Sequence, residues 1–87
     1  MLDIMYIVGL RGFTMTPAQC AAARALLGWN QAQLADNAGV GRQTVVGFER
    51  GRRSPNQASM DGMMAALLGS GIEFIGSSGV VLRDKVS

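Results

Sequence analysis

The stretch from Asn30 to Arg53 constrains this chain more than any other part of it. Asn30 and Gln33 stand at the spacing of a helix cap and the side chain that reaches back to it. The helix they open is predicted to end near Asn37 to Gly39, where glycine allows a positive φ. A second short helix is predicted from Gly41 or Arg42 to Arg50, closing at Gly51. It opens with Arg42, Gln43 and Thr44 and runs out into Arg50, Arg52 and Arg53. Leu34, Ala35, Val40, Val45 and Phe48 are spaced to close both helices onto a third. Ala35 is small where helices must cross closely.

The flanks supply that third helix and more. Thr16, Pro17 and Gln19 form a start signal: a capping hydroxyl, a proline suited to the first position, and a side chain that can return to the cap. The alanine-rich run to Leu27 is a good helix former, and Gly28 stops it. Ser54-Pro55-Asn56 reads as a turn, and Asn56 can cap a further helix through Leu68. Gly62 weakens that helix by roughly 1 kcal/mol relative to alanine. Its apolar positions Met60, Met63, Met64, Leu67 and Leu68 recur at helical spacing, as core or as a dimer contact.

The two ends have a different period. Ile72 to Ile75 and Val80 to Leu82 flank Gly76-Ser77-Ser78-Gly79 and read as a β-hairpin. A lone hairpin is marginal in water. This one must pack on the helices, pair with residues 1–10, or pair with a second subunit. Met5 to Leu10 favours a strand by its aromatic and β-branched side chains. Residues 1–14 are equally readable as a leader, with Met15 a second translation start. No internal repeat or linker is visible. The organisation expected is an N-terminal extension over 1–14, a helical domain over 15–69, and the hairpin over 70–87 as a dimerisation element.

Eighty-seven residues are enough for one domain with one core. Net charge is only +2, but Arg42, Arg50, Arg52 and Arg53 lie close together with Glu49 the one acid among them. A clustered basic patch on a mildly basic chain favours a polyanionic partner over a general acidic substrate, and on charge alone nucleic acid and a merely solvated face stand about even. Cys20 is the single cysteine, so no intrachain disulfide can form, and its setting among alanines suits a small buried thiol. The chain has no histidine, which removes the commonest metal ligand and general base. There is no metal-ligand cluster, no glycine-rich phosphate loop after a strand and no close carboxylate pair; Asp36, Asp61 and Glu73 are scattered. No catalytic residues, metal or cofactor are expected, and an enzyme is disfavoured. The apolar start is too short to span a bilayer, and Asp3 precedes any basic residue, unlike a secretory signal. The expected compartment is cytoplasmic, with no membrane partner.

Residues 16–69 resemble the Xre family of helix-turn-helix regulators, the group of the phage Cro and repressor proteins. The resemblance rests on Leu27-Gly28-Trp29-Asn30-Gln31 leading to Leu34-Ala35, then Ala38-Gly39-Val40, Arg42-Gln43-Thr44-Val45, and Phe48-Glu49-Arg50-Gly51-Arg52. It implies a mainly α fold: a compact four- to five-helix bundle of Cro/repressor type, carrying the C-terminal β-hairpin. It also implies a structural ion pair between Arg24 and Glu49, and a phosphate contact from Gln31 at a helix N-terminus. Arg42, Gln43 and Thr44 open the helix that would enter the major groove of double-stranded DNA. Arginine can pair with guanine O6 and N7, and glutamine with adenine N6 and N7. Thr44 could reach a phosphate or a thymine methyl, and Val46, on the outer side, a thymine methyl. Arg50, Arg52 and Arg53 follow the helix where the chain passes the phosphate backbone.

Two departures stand out. Gly41 replaces the Ser or Thr usual at the cap of the reading helix. Gly47 stands where relatives often carry a long base-reading side chain, so shape readout is expected to supplement fewer contacts. The function expected is a sequence-specific transcription regulator, a repressor, that binds an inverted-repeat operator as a homodimer. Phe74, Ile75, Val80 and Leu82 of the hairpin, with the Met60–Leu68 face, are the expected dimer contact. The alternative is an antitoxin-type module that binds a toxin protein and regulates itself through DNA.

Overall fold

Capping side chains set where the helices begin. In the computed structural model, which describes residues 14–83, helix α1 spans Pro17–Leu27, α2 Gln31–Ala38, α3 Arg42–Glu49 and α4 Gln57–Gly69. Ahead of α1, Thr16 Oγ1 accepts from Gln19 N at 3.1 Å while Thr16 N donates to Gln19 Oε1 at 3.0 Å. Asn30 and Gln33 make the same exchange ahead of α2, both bonds at 2.7 Å. Asn56 Oδ1 accepts from Ser59 N at 2.8 Å at the start of α4. Only α3 begins without a side-chain cap, because Gly41 has none to offer. Gly28 and Gly39 end α1 and α2 with φ of 72° and 71°, a left-handed turn that glycine makes without strain.

The fold is mainly helical, with four helices among the described residues and a C-terminal antiparallel hairpin. Strands β1 (Ile72–Ile75) and β2 (Gly79–Leu82) pair Ile72 with Leu82, Glu73 with Val81, Phe74 with Val80 and Ile75 with Gly79. One core serves helices and hairpin together. Met15, Cys20, Ala23, Leu34, Ala35, Val45, Phe48, Met60, Met63, Met64, Leu67 and Ile72 are buried in it. Of the three fates open to the hairpin, packing on its own helices is the one adopted: β2 lies against α1 and β1 against α4.

Polar bonds fix that docking. Gln19, 2% exposed, donates through Nε2 to the carbonyls of Gly76 at 3.0 Å and Gly79 at 3.1 Å. Thr16 Oγ1 donates to Ser77 O at 3.3 Å. The capping residues of α1 therefore also hold the hairpin turn, a second use that the cap spacing did not reveal. The methionine face of α4 is spent inside the chain: Met60, Met63, Met64 and Leu67 are all buried. That corrects the expectation of a dimer contact there, because a face already covered by α2 and β1 has no surface left to offer a second copy. Residues 1–13, with the strand or leader expected there, lie outside the described residues.

Gly62 has a reason that helix propensity hides. A Cβ at this position would stand 2.6 Å from the carbonyl oxygen of Ala38, so α4 crosses the end of α2 at backbone contact. Gly62→Ala should therefore destabilise the protein by about 1–3 kcal/mol through overpacking, although alanine is the better helix former by roughly 1 kcal/mol. Urea denaturation would show it as a lower midpoint; a raised midpoint would mean that the two helices part at no cost.

Candidate nucleic-acid interface

Helix α3 divides its residues between two sides by its own period. Val45 and Phe48 are buried against the bundle, and Glu49 turns the same way. Arg42, Gln43 and Arg50 are exposed on the other side, with Val46 and Gly47 half-buried between them. The chain then turns at Gly51 and brings Arg52 and Arg53 back beside the helix. Arg42, Gln43, Val46, Gly47, Arg50, Arg52 and Arg53 together line an open hollow of about 650 Å³.

The electrostatics of this surface follow from where Glu49 goes. Its carboxylate is turned inward, with 7% of the side chain exposed, and accepts a two-pronged grip from Arg24: Nε to Oε2 at 2.6 Å and Nη2 to Oε1 at 2.8 Å. Gln31 Nε2 adds a bond to Oε1 at 3.1 Å, and the Cys20 thiol donates to Oε2 at 3.3 Å. Arg24 Nη1 also donates to the carbonyl of Trp29 at 2.9 Å. The one acid within the arginine cluster is thus consumed in the interior. Among the described residues, none of Arg42, Arg50, Arg52 and Arg53 is in an ion pair. Four uncompensated guanidinium groups line a surface with no carboxylate.

Burial alone would raise the Glu49 carboxyl, but the bonds from Arg24, Cys20 and Gln31 and the charge of Arg24 outweigh it and hold the group below its ordinary value. Burial, reinforced by the neighbouring carboxylate, pushes the Cys20 thiol up and keeps it protonated. The bond to Glu49 raises Arg24 further. Cys20 is therefore more than an apolar filler: it is a donor to the carboxylate that joins α1 to α3.

The side chains expected at the interface fall into two sets. Arg42, Gln43, Val46, Arg50, Arg52 and Arg53 come together around one hollow. Thr44 is half-buried in the first turn of α3 and does not line it. Gln31 lies at the start of α2, but its amide is turned inward to Glu49 rather than outward. Sequence spacing had no signal for the Gln31 and Cys20 bonds, since these residues stand 18 and 29 positions from Glu49.

A helix presented outward with arginines at its start and just beyond its end, and a second helix set across it by a tight turn, defines a DNA-binding protein of the helix-turn-helix class. Residues 21–71, more than half of the chain, match the family model described as helix-turn-helix, and the chain belongs to that family of Xre/Cro-type DNA-binding transcription regulators. A search of curated proteins finds no significant match to the chain. No helix among the described residues is long and apolar enough to cross a membrane.

Arg24→Ala should lower stability by about 3 kcal/mol, because it strands a buried carboxylate. Because the folded Glu49 carboxyl lies below its ordinary value of 4.5, its contribution is complete above that pH and is lost as pH falls towards the folded value. Glu49→Gln should accordingly be less stable at neutral pH and show a flatter loss of stability in acid than the native protein. Denaturation midpoints taken across the acid range check both the offset and the slope.

Proposed function

We propose that the protein is a sequence-specific double-stranded DNA-binding repressor that inserts α3 into the major groove. The observation that carries this reading is the arginine-lined hollow on the outer face of α3, left without a counter-charge by the inward turn of Glu49. Arg42 and Gln43, exposed in the first turn, are the base readers, through guanine and adenine edges respectively. Val46 meets a thymine methyl, and Thr44 meets a phosphate at the helix start. Arg50 and Arg52 bind phosphates and supply salt-dependent affinity. For Gln31 the inward bond to Glu49 favours a positioning role: it fixes the N-terminus of α2, whose backbone faces the DNA strand.

The active species is a homodimer joined through the hairpins. Phe74 and Val80 are half-buried on their own core, which leaves Ile75 (55% exposed), Val81 (37%) and Leu82 (38%) as the large apolar side chains that a second copy would cover. The two reading helices then address half-sites about 34–36 Å apart or a multiple of it. A toxin protein seated on the same hairpin is the antitoxin alternative, and co-purification of a second polypeptide would favour it. The compartment in which such a regulator works is the cytoplasm.

Selection from a random duplex library tests the reading directly. An inverted repeat should emerge, with Arg42→Ala and Gln43→Ala each relaxing preference at one position by about 1–3 kcal/mol. Arg52→Ala should weaken all sequences alike and reduce the salt slope by about 1. Binding that is salt-sensitive but selects no motif would sink the sequence-specific reading. For the dimer, Ile75→Lys combined with Leu82→Lys should give a monomer by sedimentation with the fold intact. A native protein already monomeric at micromolar concentration would remove the hairpin contact.

A further inference from the structure

Gly47 stands in the middle of the outward stripe of α3, one turn after Gln43 and one turn before Arg50, and places no side chain there. Arg53 takes the space. A Cβ built on Gly47 would lie 3.1 Å from Arg53 Cβ, 3.4 Å from its Cδ and 3.6 Å from its Nε. The Arg53 side chain therefore runs along the helix surface from its root to its guanidinium. Backbone bonds fix the turn that leads to it: Arg52 N donates to Gly47 O and Gly51 N to Phe48 O, each at 2.9 Å, and Gly51 turns the chain back with φ of 72°. Arg53 lines the same hollow as Arg42, Gln43 and Val46.

We propose that Arg53 is a base-reading residue, whose guanidinium is carried back over Gly47 to the place in the major groove that a side chain at position 47 would otherwise fill. The proposal rests on α3 being the helix that enters the groove. By sequence position Arg53 lies beyond the helix and groups with Arg52 as a phosphate contact. The close approach at Gly47 separates the two: Arg53 is laid over the reading stripe, and the three atoms nearest to a Cβ at Gly47 are all its own. A planar guanidinium offers two parallel donors to guanine O6 and N7, the commonest specific contact in this groove. Lysine keeps the charge but not the fork, so exchange of the two residues distinguishes a base contact from a phosphate contact. Gly47 is then part of the specificity of the protein without touching DNA, because a side chain there would press on Arg53 and shift it along the helix.

Selection from a random duplex library, with the full chain and its Arg53→Lys, Arg52→Lys and Gly47→Ala variants, provides the test. Arg53→Lys should keep affinity for generic duplex within about threefold, since the charge remains. Its preference for one guanine in each half-site should fall by at least about tenfold. Arg52→Lys, at a phosphate contact, should change affinity for all sequences alike, with no loss of preference confined to one base position. Gly47→Ala, whose Cβ would press on the root of Arg53 at 3.1 Å, should remain folded by circular dichroism and should lose preference at the same position as Arg53→Lys. An unchanged motif in Arg53→Lys would overturn the proposal and return Arg53 to the phosphate contacts, leaving α3 as the reading helix. A native protein that selects no motif would overturn both.

Discussion

The Glu49 carboxylate is the point on which the arrangement of the first three helices depends. Arg24 and Cys20 reach it from α1, Gln31 reaches it from α2, and Glu49 itself closes α3. Helices of eight residues, as α2 and α3 are, are too short to persist alone in water. Their apolar faces bring them to the core, but burial is non-directional and tolerates sliding. A carboxylate held by donors from two other helices does not, since each bond needs its own distance and angle and an unpaired charge there would be costly. The network thereby fixes how far α3 projects from the bundle, and with it the angle at which its outer face meets a partner.

Gln19 does for the hairpin what Glu49 does for the helices. A two-stranded hairpin is marginal by itself, and this one contributes Ile72, Phe74 and Val80 to the common core. Apolar contact alone would let it rotate about the end of the bundle. The paired bonds from Gln19 to Gly76 and Gly79, at the two ends of the turn, remove that freedom. Among the described residues no buried side-chain polar atom lacks a partner, which is consistent with a chain that uses its few interior polar groups for orientation.

Local chemistry made the helices legible in the sequence. Thr16 with Gln19, Asn30 with Gln33, and Gly28 and Gly39 act within one turn of themselves, so their spacing carries the whole signal. The hairpin was legible for the same reason, through four turn-forming residues between two short apolar runs. The Arg24–Glu49 pair was reached through family resemblance, because nothing in a 25-residue separation implies contact. Where interactions join distant segments through single residues, the sequence was silent. Gly62 read as a weak spot in a helix, whereas it is the point where α4 meets the carbonyl of Ala38. The methionine stripe was ambiguous between core and dimer, since periodicity reports that a face is covered and not by what. Of the candidate site, the residue types and their clustering were readable; the inward turn of Gln31 and the laying of Arg53 over Gly47 depend on tertiary geometry.

Stability and recognition are separated on opposite sides of α3, and the separation has a consequence for charge. A net charge of +2 is too small to draw a protein to DNA by its overall field. Here the acid that would have neutralised the arginine cluster is instead used to bind the bundle, so the same carboxylate that builds the fold leaves the outer face basic. Exposed Glu49 would cancel one guanidinium of four and leave the half-buried Arg24 without its counter-charge. The inward orientation therefore serves both requirements at once, and a substitution on the outer stripe can alter what is read while Val45, Phe48 and Glu49 keep the helix in place. Recognition can change on such a scaffold without renegotiating the fold, provided that the groups replaced are those facing the hollow.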